Sequence, residues 1–345
     1  MPNAYSSNVS VIHGTSLVGT VPVGYYATLA VYDDGNGYVY VPNAYTNNVS
    51  VVNGTSVLRS VNVGTSPRGG VYDAGNGYMY ITNSGSANVS VISDTQLLAT
   101  VAVGNSPGSA VYDGGNGDVY VLNGFSNDVS VISGRSVVAT VPVGSGPQYA
   151  AFDADNGYVY VPNTSSGNVS VIDGTSLAAT IPVGSYPSFA LYDSGNGDVY
   201  VPNAGSGNVS VISGTKVVAT VGDGQSPNSA VYDPENGFVY VLDAFSGNVS
   251  VVNGSSLVTT FPVDSGPLYG VYDSGNGYTY VPDSRSDNVS VIGWVASPGG
   301  SHSSPGLAGP LWVYALDGGI VVALAAAAVL YVIRRRRRPP TATSF

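Results

Sequence analysis

The chain has 345 residues, of which 43% are apolar and only 9% are charged, and it contains no cysteine. The formal net charge is -11, and five of the ten basic residues are the consecutive arginines 334–338. The rest of the chain is therefore strongly acidic and repels phosphate backbones, which excludes nucleic acid as a partner. Disulfides and thiolate metal sites are excluded as well. The two histidines, His13 and His302, are far apart, so we expect no metal centre and no cofactor.

One sequence pattern recurs through most of the chain. The stretch NGYVYVPN, Asn36 to Asn43, returns with small changes at a spacing of 40 residues, at Asn76, Asn116, Asn156, Asn196, Asn236 and Asn276. In the copy from Pro147 to Gly184, four short apolar runs (QYAAFD, YVYVPN, NVSVI and LAATIPV) are separated by Gly, Asn, Asp, Ser or Pro. This pattern predicts four antiparallel strands, which we name A, B, C and D in chain order.

A four-stranded sheet of about 40 residues cannot bury both of its faces alone. Stacking against neighbouring copies covers both faces, which explains why Val and Tyr alternate in YVYV. Four strands per 40 residues is typical of a β-propeller blade.

The repeat VYVPNAYTNNVSVVNGTS resembles the YVTN-type β-propeller repeat of archaeal surface-layer proteins and related bacterial secreted propellers. The similarity covers about residues 1–292. It implies an all-β, seven-bladed β-propeller whose strand A lines a central channel, and a propeller ectodomain over residues 1–293. The resemblance also implies a location at the cell surface.

The ends of the repeat array bear on how the ring closes. Strands A and D each occur seven times, whereas strand C occurs eight times. We expect strand D near Leu17 to Val23 to complete the last blade, so that this blade combines both chain ends and one strand C is surplus. Met1 aligns with Val41, in the middle of strand B, so we expect further strand and a secretory signal upstream. Eight blades is the alternative.

The composition changes after the last repeat. Residues 294–310 are rich in Ser, Gly and Pro and predict a flexible linker. Residues 311–333 are almost entirely apolar and long enough to predict a transmembrane helix. The arginines that follow place the basic tail, residues 334–345, in the cytoplasm and the propeller outside. We therefore expect a single-pass protein of the cell membrane. The alternatives are a buried core helix and a sorting signal that is replaced by a lipid anchor.

Two sets of polar residues repeat with the blades. An aspartate precedes each Asn-Gly turn and is predicted to cap it; a calcium loop is the weaker alternative, because no distal glutamate follows. The strand C asparagines of the Asn-Val-Ser sequons are candidates for glycosylation: Asn48, Asn88, Asn168, Asn208, Asn248 and Asn288.

Residues that break the repeat are the candidates for function. They fall in the loops that connect strands D to A and B to C, and both sets of loops lie on one face of a propeller. Aromatic rings there can stack on sugars or anchor a protein, and arginine beside them favours an acidic sugar. The alternative is that the rings pack only loop against loop. The predicted ligand-binding residues are Arg68, Gln148, Tyr149, Phe189, Tyr269, Arg285, Tyr45, Phe125 and Phe245.

These observations predict a membrane-anchored surface-layer or adhesion protein that binds a cell-surface glycan or protein through this face. An extracellular enzyme of lactonase or oxidoreductase type is one alternative. No nucleophile, base and acid occur at a recognisable spacing, so we expect no catalytic residues and no enzyme. A purely structural coat protein is the other alternative.

Overall fold

The computed structural model describes residues 1–222, 224–294, 311–315, 319–323 and 331–333. In this part of the chain every regular element is a β-strand, and the strands form eight antiparallel sheets. Each sheet is one blade, and blades 2 to 7 contain four strands in the order A, B, C, D.

The blades follow one another along the chain. Blade 1 contains β1 (Pro2–Asn3), β2 (Asn8–His13) and β3 (Ser16–Pro22). Blades 2 and 3 contain β4 (Val31–Asp33), β5 (Tyr38–Asn43), β6 (Asn48–Asn53), β7 (Ser56–Asn62), β8 (Pro67–Asp73), β9 (Tyr78–Asn83), β10 (Asn88–Ser93) and β11 (Gln96–Ala102). Blades 4 and 5 contain β12 (Pro107–Asp113), β13 (Asp118–Asn123), β14 (Asp128–Ser133), β15 (Ser136–Pro142), β16 (Ala151–Asp153), β17 (Tyr158–Asn163), β18 (Asn168–Asp173) and β19 (Ser176–Pro182).

The remaining blades continue this order. Blades 6 and 7 contain β20 (Leu191–Asp193), β21 (Asp198–Asn203), β22 (Asn208–Ser213), β23 (Lys216–Gly222), β24 (Pro227–Asp233), β25 (Phe238–Asp243), β26 (Asn248–Asn253) and β27 (Ser256–Pro262). Blade 8 contains β28 (Val271–Asp273), β29 (Tyr278–Asp283), β30 (Asn288–Trp294), β31 (Leu311–Ala315), β32 (Gly319–Ala323) and β33 (Tyr331–Ile333).

The hydrophobic core lies between the blades. One cluster joins Tyr40 and Val51 of blade 2 to Met79, Ile81 and Ile92 of blade 3, and the same arrangement recurs around the ring. Side chains alternate along a strand, so Tyr40 faces one neighbouring blade and Val39 and Val41 face the other. The alternation of Tyr and Val in strand B is thus explained by a sheet that is covered on both faces.

Buried tyrosines also connect neighbouring blades. The Tyr40 hydroxyl donates a hydrogen bond of 2.8 Å to the Asp94 carbonyl oxygen in the next blade, and Tyr160 donates one of the same length to Gly214. Tyr280 of blade 8 makes the corresponding contact with the backbone of Gly14 in blade 1. Met1 and Ile12 pack against Tyr280 as well. Blades 8 and 1 are therefore neighbours, and the ring closes.

The prediction of seven blades is wrong, because the structure has eight. The two chain ends do not merge into one blade. Strand C of blade 1 (β2) already pairs with β1 and β3, and strand C of blade 8 (β30) already pairs with β29 and β31. A strand has only two edges, so neither strand C can accept a strand from the other end of the chain.

The predicted C-terminal transmembrane helix is also wrong. The described residues between 311 and 333 form β31, β32 and β33, which extend blade 8 outward. Valine and isoleucine are frequent in this segment and favour extended structure, and β30 offers an edge for pairing. Among the residues that the structure describes, no helix is long and apolar enough to span a bilayer. The predicted linker, beyond Trp294, and the basic tail lie outside the described residues.

Candidate ligand site at the channel mouth

The loops between strands D and A and between strands B and C lie side by side on one face, which we call the loop face. The Ala44 amide donates to the Tyr26 carbonyl oxygen at 2.9 Å, and the Gly124 amide donates to that of Ser106 at 3.0 Å. These bonds join the two loop sets in successive blades. The loop face therefore brings together the residues that depart from the repeat, as the strand directions predict.

A repeated layer of amides supports the loop face. The buried Asn43 side chain donates to Asn48 Oδ1 at 2.8 Å and to Ser50 Oγ at 3.0 Å. The same pair of bonds occurs at Asn83, Asn123, Asn163 and Asn203. The sequon residues Asn48, Asn88, Asn168 and Asn208 thus accept hydrogen bonds that hold the strand B to C connection. Their glycosylation, like that of Asn248 and Asn288, stays a prediction.

Three predicted site residues meet at the channel. The ring centroid of Tyr149 lies 5.9 Å from that of Phe189 and 5.1 Å from that of Tyr269. They belong to blades 5, 6 and 8. Backbone bonds between the innermost segments hold this geometry, including one of 2.9 Å from the Ala190 amide to the Tyr149 carbonyl oxygen. The three rings form a tilted aromatic cluster at the loop-face end of the channel.

A cavity of about 490 Å³ opens beside this cluster. Five of the predicted residues line it, namely Arg68, Phe125, Gln148, Tyr149 and Tyr269, together with Ser, Gly, Asn and Pro residues. None of the lining residues is acidic, and Arg68 is the only one with a formal charge at neutral pH. We call this cavity, with Phe189 behind Tyr149, the mouth site. Its volume is in the range of small-molecule sites, which is about 300–1,000 Å³.

The mouth site has a strained and desolvated centre. Tyr269 has a φ of 51°, in the left-handed region that few non-glycine residues adopt. Its amide donates to Ser229 Oγ at 3.0 Å, which holds this conformation. Burial, followed by the neighbouring Tyr149, raises the pKa of Tyr269 well above its usual range, while Arg68 opposes the rise. The Tyr269 phenol is therefore neutral at physiological pH and lies within the field of the guanidinium group.

The other predicted residues of the loop face lie outside the mouth site. The Tyr45 ring stacks on that of Tyr25, with ring centroids 5.3 Å apart, and its centroid lies 4.8 Å from that of Tyr26. The Arg285 guanidinium carbon lies 5.0 Å from the Phe245 ring centroid. Each of these contacts joins one loop to another. The structure thus divides the nine predicted residues into the mouth site and two separate surface clusters.

Sequence reasoning missed several residues of the loop face. Tyr5, Tyr25 and Tyr26 extend the cluster around Tyr45. Tyr186 lines a second cavity of about 370 Å³ that shares Gln148 with the mouth site. Tyr26 and Tyr186 occupy a left-handed position that other blades fill with Ser or Gly. This departure from the repeat was the signal that could have found them.

The opposite end of the channel, which we call the turn face, is built from the repeated aspartates. Asp33 Oδ1 accepts hydrogen bonds from the Gly35 amide at 2.9 Å and the Asn36 amide at 3.2 Å. The same caps occur at Asp73, Asp113 and Asp153. These aspartates therefore have the predicted capping role. In the described part of the chain, no group of three or more potential metal ligands is present.

Comparison with solved structures shows the class of protein. Hydrazine synthase of Kuenenia stuttgartiensis superposes with a TM-score of 0.60 at 16% identity, over 78% of this chain and 95% of that one. Virginiamycin B lyase of Staphylococcus aureus gives 0.61 at 10% identity, over 76% and 93%. The dihydro-heme d1 dehydrogenase NirN gives 0.65 at 14% identity, over 90% and 69%. At these identities the likeness shows the fold alone, so the chain is a β-propeller.

No family model matches the chain, and none of the curated proteins matches it. The resemblance to the YVTN-type repeat therefore stays a prediction.

Proposed function

We propose that this protein is a ligand-binding β-propeller whose mouth site takes a carboxylate-bearing sugar. One observation carries the proposal: the mouth site combines a single arginine with aromatic rings and has no acidic side chain, although the whole chain has a net charge of -11. Because the rest of the molecule repels anions, a local positive site is unlike its surroundings. The mouth site therefore favours a ligand that has both a ring face for stacking and a negatively charged group.

Each part of the mouth site has a role in this proposal. The Arg68 guanidinium group can pair with a carboxylate through two parallel hydrogen bonds. Tyr149 and Tyr269 offer ring faces for stacking and hydroxyl groups for the sugar. Gln148 is exposed between the two cavities and can hydrogen-bond a second sugar unit. The ligand is therefore an oligomer that extends from the mouth site across the loop face.

Calorimetric titration with an oligogalacturonate and with a neutral oligosaccharide of equal length tests the proposal. We expect Arg68→Gln to weaken oligogalacturonate binding about 10- to 100-fold, or about 1–3 kcal/mol, and to leave any neutral binding unchanged. Arg135→Gln is the matched control, because it removes the same charge from an arginine that pairs with Tyr78 away from the mouth site. Equal losses in the two variants, or no preference for the acidic oligomer, would refute the proposal.

Catalysis at the mouth site is the second candidate, since hydrazine synthase, NirN and virginiamycin B lyase are enzymes on the same fold. In such a role the Tyr149 phenol, which lines the mouth site, would be the group that transfers a proton. Prolonged incubation with polygalacturonate, followed by analysis of chain length, tests it. Shortening that Tyr149→Phe abolishes would establish an enzyme, and an unchanged polymer would support a binding protein.

We propose a location at the cell surface, based on the resemblance of the repeat to the YVTN-type repeat of archaeal surface-layer proteins. A surface adhesion or coat role would give the loop face access to glycans. Protease treatment of intact cells tests this location. Cleavage of the propeller in intact cells would support it, whereas cleavage only after lysis would contradict it.

A further inference from the structure

A second cavity lies beside the mouth site on the loop face. It has a volume of about 370 Å³ and shares Gln148 with the mouth site, so the two cavities are neighbours. The mouth site contains Arg68, whereas none of the residues that line the second cavity is charged at neutral pH. The loop face thus carries two adjoining sites, of which only one can neutralise an anion.

The same position of the repeat supplies a polar side chain to both cavities. It is the residue directly after the loop proline, which is Arg68 in blade 3, Gln148 in blade 5 and Asn228 in blade 7. Arg68 lines the mouth site, Asn228 lines the second cavity and Gln148 lines both. The difference in charge between the two cavities therefore depends on which residue this position holds.

Tyr186 gives the second cavity its aromatic ring. Its φ of 53° lies in the left-handed region, which is unfavourable for a bulky side chain. The equivalent residue is serine in blades 3, 4 and 7 and glycine in blades 5 and 8. Tyr186 is 61% exposed, so packing in the core does not compensate for this conformation. A strained and exposed aromatic residue that lines a cavity indicates a role in binding.

Gly205 makes room for the Tyr186 ring. A Cβ atom on Gly205 would lie only 2.5 Å from Tyr186 Cδ2, so the ring in its present place requires glycine at this position. Four other blades have an aromatic residue there, namely Tyr5, Tyr45, Phe125 and Phe245. Blade 6 therefore presents its ring from the strand D to A loop, beside the second cavity.

The polar groups of the second cavity are neutral and partly free. Ser188 Oγ donates to the Asn228 carbonyl oxygen at 2.7 Å, and Thr164 Oγ1 donates to that of Pro187 at 2.8 Å. Each hydroxyl keeps lone pairs that can accept a hydrogen bond. Within the described part of the chain, the side-chain amides of Gln148 and Asn228 have no hydrogen-bond partner, so each offers a donor and an acceptor. A ring surrounded by neutral donors and acceptors suits an uncharged sugar.

A carboxylate does not suit the second cavity. No cation there would neutralise it, and an unpaired charge loses free energy when it is removed from water. The net charge of -11 adds long-range repulsion. A uniformly charged oligomer with one acid at Arg68 must therefore leave the second cavity empty or carry an unpaired charge into it.

We propose that the ligand is an acidic heteropolysaccharide in which a uronic acid is linked to a neutral sugar. Arg68 pairs with the uronic acid, and the neutral sugar occupies the second cavity against Tyr186 and Asn228. This inference rests on the proposed function and goes further, because it assigns a second subsite and the composition of the ligand.

Calorimetric titration of the full chain with two hexasaccharides tests the inference. One consists of alternating galacturonate and rhamnose units, and the other of galacturonate alone. We expect the alternating oligomer to bind about tenfold more tightly, which is the gain typical of one well-packed contact.

Tyr186→Ser should remove this preference and leave the affinity for the galacturonate oligomer unchanged. Ser226 occupies the equivalent position of blade 7 with a left-handed backbone, so the variant is expected to fold. Tyr26→Ser is the matched control, because it makes the same substitution at the equivalent position of blade 2, where the ring packs on Tyr45. It should leave the preference between the two oligomers unchanged.

A second variant changes the charge of the second cavity. Asn228→Arg places there the residue that the equivalent position, Arg68, gives to the mouth site. We expect the affinity for the galacturonate oligomer to rise about tenfold, because a second carboxylate gains a partner, and the preference for the alternating oligomer to disappear.

Equal affinities of the two oligomers for the unmodified chain would overturn the inference. A loss in Tyr186→Ser that is the same for both oligomers, or no gain in Asn228→Arg, would overturn it as well. The proposed function would then still stand on the dependence of galacturonate binding on Arg68. Binding of neither oligomer would refute the proposed function and the inference with it.

Discussion

The two ends of the channel are built from the same repeat, but the residues at one end recur in each complete blade and those at the other end vary. At the turn face every complete blade presents the same aspartate and Asn-Gly turn, and the capping bonds recur with nearly the same lengths. At the loop face the residue directly after each loop proline differs from blade to blade, and three aromatic rings from the next position meet there. Residues that recur in every blade support the fold, whereas residues that differ between blades can bind a ligand.

The largest expected effect contrasts a repeated tyrosine with an unrepeated one. Tyr160 is fully buried between blades, and its hydroxyl bonds to Gly214. Tyr160→Ala should lower the free energy of unfolding by about 3–5 kcal/mol, because it leaves a large cavity. Tyr149→Ala removes the same atoms from a half-buried ring and should lower it by less than about 1 kcal/mol. Urea denaturation measures the free energy of unfolding of both variants. Equal decreases would contradict the distinction between repeated and unrepeated tyrosines.

The second effect concerns the amide layer beneath the loop face, where blades 7 and 8 have aspartate in place of asparagine. Burial raises the pKa of Asp283 from 3.8 to about 6. The folded state therefore binds a proton more readily than the unfolded state, and the ionised form destabilises the fold above about pH 6. As the pH falls from 6 towards 4, this penalty disappears.

Asp283→Asn should accordingly stabilise the protein by about 2 kcal/mol at pH 7 and have little effect at pH 4. Chemical denaturation at the two pH values measures the difference. Asn203→Asp is the reverse control in blade 6, since it introduces a carboxylate at the equivalent buried position. A stabilisation of the same size at both pH values would exclude ionisation as the cause.

A smaller effect separates capping from charge at the turn face. Asp153 Oδ1 accepts hydrogen bonds from two backbone amides, so Asp153→Ala should lower stability by about 1 kcal/mol. Burial raises the pKa of Asp153 above its usual value. Asp153→Asn keeps the acceptor without the charge, and should therefore match or exceed the parent at pH 7. A loss in the Asn variant as large as in the Ala variant would show that the charge itself stabilises the turn.

The smallest effect is expected in the surface clusters of the loop face. Arg285 contacts the exposed Phe245 ring, and such pairs contribute about 0.5–1 kcal/mol at exposed sites. Arg285→Ala should therefore lower the Tm by only a few degrees and leave binding at the mouth site unchanged. A loss of ligand affinity equal to that of Arg68→Gln would extend the binding site to this cluster.

Much of the fold could be predicted from one repeat. The strand order, the Asn-Gly turn, the aspartate cap and the two-faced strand B follow from local pattern and turn chemistry, because these features involve residues close in sequence. The meeting of Tyr149, Phe189 and Tyr269 could be expected once strand A was placed at the channel. The loop residues that share a cavity with Arg68 could not be predicted in this way. Their meeting depends on the diameter of the ring of blades and on the direction of each side chain.

The sequence by itself determined the repeating unit and the face on which the unrepeated residues lie. Only the tertiary structure decided the number of blades. Closure depends on which strand edges remain free when the chain ends meet, and both end copies of strand C had already paired on two sides. The same holds for the C-terminal segment, whose apolar composition suits a helix in a bilayer and a strand on a sheet equally well. The free edge of β30 favoured the strand β31, and no local sequence pattern encodes this neighbour.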